Sequence, residues 1–177
     1  MSNILKKLQG GDRRSIGRAN EVALEVEKDP TLLEEMFNGL DSHDPIIRMR
    51  SADVIEKVTQ NNPDLLLRFK EKIISLLVSA EQQEICWHMA QIAPRLQYTE
   101  DEEKSVFESL KKYLTHKSKI VRVSAMESLV HFAERNNCIL NEVAGILNKQ
   151  TLTGSPAVKS RGRKLLQRIE RLINGKA

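Results

Sequence analysis

The sequence of 177 residues predicts an all-α protein: an array of about four to five helical hairpins ending in a basic closing helix. Three observations carry that expectation. Apolar residues make up 40% of the chain but aromatics only 4%, so the core is built from Leu, Ile, Val and Ala, which suits packed helices better than β-sandwiches. Eight glycines and five prolines are too few for the frequent tight turns of an all-β chain. The third observation is a repeated phrase: IIRMRSADVIEKVTQNN at 46–62 returns as IVRVSAMESLVHFAERNN at 120–137.

The phrase reduces to a template of apolar, basic, two free positions, small, three free, apolar, two free, apolar. Ile47, Arg48, Ser51, Ile55 and Val58 fill it first, and Val121, Arg122, Ala125, Leu129 and Phe132 fill it again. A middle copy falls on Ile85, Cys86, Met89, Ala93 and Leu96, with Cys86 in the basic position. A further copy falls on Val158, Lys159, Gly162, Leu166 and Ile169, giving spacings of 38, 36 and 37. Asp12, Ile16, Ala19, Ala23 and Val26 form a weaker first copy. Apolar positions recur every three to four residues, the period of an amphipathic helix, and the small residue lets a neighbouring helix approach closely.

A second helical run follows each phrase, on Leu32–Leu40, Leu65–Leu77, Val106–Leu114 and Ile139–Leu147. The units are therefore 12–40, 41–78, 79–115 and 116–150, with a closing helix at 156–173, all in a single domain 1–177. One such unit cannot bury its own apolar faces, which is why helical hairpins of this kind stack in arrays.

The punctuation agrees. Asp29-Pro30, Asp44-Pro45, Asn62-Pro63 and Ser155-Pro156 each place a capping residue before a proline at the first helical position. Thr99 with Glu102 predicts a capping box, Ser79 with Gln82 a second, and Asn62 and Asn137 are placed to cap the helices that follow them. Pro94, inside a helical pattern, predicts a kink or an early end. Gly10-Gly11 ends a short first helix built on Ile4, Leu5 and Leu8.

With Asp-Pro-Ile-Ile-Arg at 44–48 and Ile-Val-Arg at 120–122, the hairpins resemble HEAT repeats over roughly residues 12–173. Cys86 and the Lys-Ser-Lys at 117–119 depart from the family's Asp/Arg pattern. The resemblance implies a right-handed α-α superhelix, or solenoid, whose second helices line the concave face. It implies little about chemistry, because packing defines the family.

No Gly-rich phosphate loop, GxSxG elbow, Cys/His dyad or metal-ligand spacing occurs, so no cofactor, metal or catalytic residue is expected. Glu84/His88 and Glu127/His131 read as surface ion pairs at i,i+4. Cys86 and Cys138 read as buried free thiols, and Trp87 as core packing. The N-terminus has no secretory pattern and no apolar run is long enough to span a bilayer, so the expectation is a cytoplasmic protein.

The chain's excess positive charge lies in residues 151–177, with seven Lys/Arg against one Glu. Arg161, Lys164, Arg168 and Arg171 recur along one flank of the last helix and are the candidate binding residues. The leading functional expectation is a non-catalytic scaffold or adaptor for a protein or peptide. The alternatives are binding of a nucleic-acid backbone through the basic stripe, a soluble terminal face without a ligand, or, by resemblance alone, an enzyme of the DNA glycosylase or chromophore lyase type. One Trp and two Tyr, scattered along the chain, give the glycosylase reading no support.

Overall fold

The computed structural model describes residues 2–12 and 14–175, and every regular element among them is helical. The all-α expectation holds. The chain forms two compact units, Met1–Leu96 and Gln97–Ala177.

The first unit contains α1 (Asn3–Lys6), α2 (Ala19–Lys28), α3 (Leu33–Gly39), α4 (Pro45–Gln60), α5 (Lys70–Ser79) and α6 (Gln83–Ile92). Short 3-10 turns at Pro30–Leu32, Pro63–Phe69 and Ala93–Arg95 accompany them. The centre of this unit is α4, which packs against α2, α3 and α6. Its start is fixed locally: the Asp44 Oδ1 accepts the Ile46 N–H at 2.8 Å, and Pro45 supplies a preset φ. Ile47, Val54 and Ile55 of α4 are fully buried, as are Val22, Val26, Leu33 and Met36 around them. Phe37 and Phe69 stack with centroids 3.8 Å apart.

The second unit contains α7 (Glu100–Tyr113), α8 (Lys119–Arg135), a 3-10 turn (Asn137–Ile139), α9 (Leu140–Thr153) and α10 (Pro156–Asn174). Here α8 packs against α7, α9 and α10, and α10 lies along α9. Val121, Ala125, Leu129, Val143, Leu147, Val158 and Ile169 are fully buried. The Thr99–Glu102 capping box forms, with Thr99 N donating to Glu102 Oε2 at 2.8 Å and Glu102 N to Thr99 Oγ1 at 3.3 Å. Four acids in the first turn and Lys111 and Lys112 in the last suit the helix dipole.

The copies of the phrase centre on α2, α4, α6, α8 and α10, and the runs between them on α3, α5, α7 and α9, but Asp12 and Ile16 precede α2, Ala93 and Leu96 follow α6, and Leu32, Leu65 and Ile139 fall in 3-10 turns. The division between the units falls between α6 and α7, inside the predicted unit 79–115. The small template position allows the close approach expected of it in both units. Gly39 of α3 faces Ser51 of α4, and a Cβ on Gly39 would also lie 2.8 Å from Leu5 Cδ2. Gly162 of α10 faces Thr151 of α9, and a Cβ there would lie 3.2 Å from Met126 Cε.

Some local expectations are corrected. The Ser79 hydroxyl ends α5 by donating to Ser75 O at 2.8 Å, so it forms no capping box. Gln82 instead accepts from Arg48 Nε at 2.7 Å and donates to Pro45 O at 2.9 Å. Asn62 and Ser155 precede their prolines without a side-chain cap bond. The cap before α9 is Asn136 rather than Asn137, because the 3-10 turn already begins at Asn137; Asn136 Oδ1 accepts the Cys138 N–H at 3.1 Å. Pro94 ends α6 at Ile92 and turns the chain into a 3-10 turn, as its missing N–H requires.

Candidate functional site

The last helix orients its predicted binding residues by its apolar stripe. Val158, Gly162, Leu165, Leu166 and Ile169 are buried, which sets Arg161, Lys164, Arg168 and Arg171 along the flank. Two of the four then turn inward to α8. Arg161 pairs with Glu127, and Arg168 grips Glu134 with Nε and Nη2, the latter 2.6 Å from Oε2. His131 Nδ1 lies 3.3 Å from Glu134 Oε2. Burial and then the Arg168 guanidinium lower the pKa of His131, which keeps the ring neutral at pH 7. Glu127 therefore serves Arg161 rather than His131, a correction to the i,i+4 expectation.

Lys164 and Arg171 are exposed and have no ion-pair partner among the described residues, and the same is true of Arg163. Lys176, one of the seven C-terminal cations, lies outside the described residues. The expected stripe of four cations is thus a mosaic in which two carboxylates sit between guanidinium groups.

A different surface of the second unit is more strongly shaped. Between α7 and the α8–α9 turn runs a groove of about 450 Å³. Phe107 and Ile139 form its apolar floor, and Glu100, Glu103, Glu108 and Glu142 its rim, with Lys104 and Asn136 completing the wall. The capping box places Glu100 and Glu103 in the first turn of α7, a spacing of three that puts both on one face. Asn136 Nδ2 donates to Glu103 Oε1 at 3.4 Å. Lys111 bridges Glu108 at 2.8 Å and Glu142 at 3.0 Å, and those two bonds raise its pKa. Glu100 has no ion-pair partner among the described residues. Four carboxylates against two ammonium groups leave the groove net acidic over an apolar base. Such a surface accepts the apolar side of a segment whose cationic heads reach the rim.

These groove residues share no single pattern of spacing along the sequence. The run Glu-Asp-Glu-Glu at 100–103 was the available signal, but it was absorbed by the cap it forms.

Three other expectations change. Glu84 and His88, expected as a surface pair, are each 4% exposed and make no ion pair with one another. Their face of α6 is turned inward: His88 borders a cavity with Met49, Arg50 and Asp53 of α4. Trp87 is half-buried beside the same cavity instead of in the core. Cys86 is buried, with Sγ 3.2 Å from Ala80 O, whereas Cys138 is exposed in the turn before α9.

No group of three or more His, Cys, Asp and Glu side chains among the described residues is arranged to hold a metal ion. No helix among them is long and apolar enough to cross a membrane. No protein-family model matches the chain, and no curated protein matches it either.

Proposed function

We propose that the protein is a non-catalytic cytoplasmic adaptor, a HEAT-like right-handed α-solenoid that binds a cationic, amphipathic segment of a partner protein. The observation that carries this reading is the groove along α7, where an apolar floor of Phe107 and Ile139 lies under four glutamates. The alternation of phrase-bearing and intervening helices supports the solenoid reading, and the regular period of 36 to 38 residues supports the HEAT-like one.

The test is fluorescence polarisation of a labelled lysine-rich amphipathic peptide against the full chain. Binding is expected to weaken about tenfold on Glu100→Lys with Glu103→Lys, because each reversal replaces attraction with repulsion. Glu170→Lys, on the exposed side of α10, serves as the control and leaves affinity unchanged. Equal affinity for the groove variant and the parent sinks the proposal.

The second reading, nucleic-acid binding, draws on the exposed and unpaired Arg163, Lys164 and Arg171. It requires retention on mixed-sequence RNA or DNA that falls steeply between ~50 and ~200 mM salt. It also requires loss of binding on Lys164→Glu with Arg171→Glu.

A further inference from the structure

The N-terminal segment of the first unit is fastened by a buried guanidinium. Arg50 is 2% exposed. Its Nη1 donates to Leu8 O at 2.7 Å and Gly10 O at 2.8 Å, while Nη2 and Nε donate to Ser15 O at 3.0 and 3.2 Å. Gly17 makes room for it: φ is +52°, and a Cβ there would lie 2.6 Å from Arg50 Cζ. All these acceptors are neutral carbonyls. No carboxylate bonds Arg50 among the described residues, although a buried charge is ordinarily set against an opposite one. Nη2 carries two N–H groups and, among the described residues, makes one bond, to Ser15 O.

Beside this guanidinium lies a cavity of about 110 Å³, walled by Arg50 and Asp53 of α4, Trp87 and His88 of α6, and Arg14 of the N-terminal segment. Asp53 is the acid in the wall, and it is held by Lys57 at 2.6 Å. His88 is 4% exposed, and its buried ring lies beside Gln91 of the same helix, whose side chain offers it a hydrogen bond. Burial first, and the Lys57 charge second, push its pKa down to about 3, so the ring keeps one N–H and stays neutral. A half-buried indole forms one wall. These are the parts of an anion site: a buried cation lacking a counter-charge, a spare guanidinium N–H, a neutral imidazole and an aromatic face.

We propose that this cavity binds a small oxyanion, taken up against Arg50, Arg14 and His88 with Trp87 along its side. The cavity, at 110 Å³, is smaller than the ~150 Å³ that accommodates benzene, so the ligand has about four or five heavy atoms, the size of a short carboxylate or a phosphate.

Trp87 is the only tryptophan, so its emission reports on the cavity directly. The full chain is titrated with sodium acetate and, separately, with sodium phosphate. Sodium chloride holds ionic strength constant, and the ¹H–¹⁵N signals of the Arg50 and His88 side chains are followed in parallel. The expected result is a saturable change in Trp87 emission with shifts at Arg50 and His88, for at least one of the two anions. Preference for acetate marks a carboxylate ligand, and preference for phosphate a phosphoryl one. His88→Leu removes the imidazole at similar volume, and Arg14→Ala removes an exposed charge outside any helix. Each is expected to weaken binding about tenfold, the effect of losing one charged or buried hydrogen bond. A response to both anions no different from chloride overturns the proposal, as does unchanged affinity in Arg14→Ala, which holds even if His88→Leu fails to fold.

Discussion

Gly39 and Gly162 occupy equivalent roles in different units, each letting one helix touch the next without a side chain between them. Gly145 of α9 has nothing within 4 Å of the place a Cβ would take. Substitution by alanine is therefore expected to act in opposite directions. Gly162→Ala forces Thr151 and α9 away and costs about 1–3 kcal/mol. Gly145→Ala removes unfolded-state freedom from a helix and stabilises by about 0.5–1 kcal/mol. Urea denaturation of the two variants beside the parent measures both; a loss of stability at Gly145 as large as that at Gly162 refutes the account. Gly162, like Ser51 that Gly39 faces, was legible in the sequence because it recurs in register with the repeat, whereas Gly39 and Gly145 fall outside the template. Arg50 was not singled out, although it sits three residues after Ile47 and four before Val54, on the face those residues bury. A cation at a core position of an amphipathic pattern is the signal that marks it. Trp87 was misread for the opposite reason: an aromatic beside small residues reads as core, yet the wall it completes includes Arg14, from a segment more than 70 residues earlier.

At the scale of elements, helix starts were more legible than what helices present to one another. A cap is a contract between residues two or three apart, so Asp29, Asp44 and Thr99 could be read directly. Thr99→Ala removes the acceptor for Glu102 N, and the expected cost is about 1 kcal/mol, seen as a lower melting temperature. Thr99→Ser, which keeps the hydroxyl, is expected to restore most of it. If the alanine variant melts with the parent, the box contributes nothing. Glu100 and Glu103 of that first turn also rim the groove, but that role depends on Asn136, Ile139 and Glu142, which lie 33 or more residues beyond them. Nothing local to the run announces it. The pairing of α10 with α8 was hidden in the same way: Arg161–Glu127 and Arg168–Glu134 are both separated by 34 residues, close to one repeat. A periodic sequence brings such positions side by side, and the near-match to the period of about 37 was the available hint.

For the whole molecule, the repeat period set the order of helices but not where the chain divides. The division falls after Leu96, beyond the 3-10 turn that Pro94 forces. The same unit carries the chain's clearest acid sensitivity. His88 has a folded pKa of about 3 against 6.5 for the free side chain. Below pH 6.5 the unfolded chain takes up a proton that the folded one refuses, so stability is fully present above about 6.5 and falls as pH drops toward 3. The slope from this one group is about 1.4 kcal/mol per pH unit within that window. Chemical denaturation at pH 7.5, 6 and 5 is expected to show the decline, and His88→Leu to flatten it. A parent and variant that decline in parallel would falsify the assignment to His88.

The grip of Arg50 on Leu8, Gly10 and Ser15 also orders events in time. Synthesis runs from N- to C-terminus, so Leu8, Gly10 and Ser15 are made before the side chain that bonds their carbonyls, which lies 35 to 42 positions later. These bonds therefore form only once α4 has emerged, although Lys7 can already pair with Glu25 of α2. Because the latch holds main-chain oxygens, it asks little of the side chains that carry them, whereas Gly11 and Gly17, both at positive φ and both against the guanidinium, must stay small.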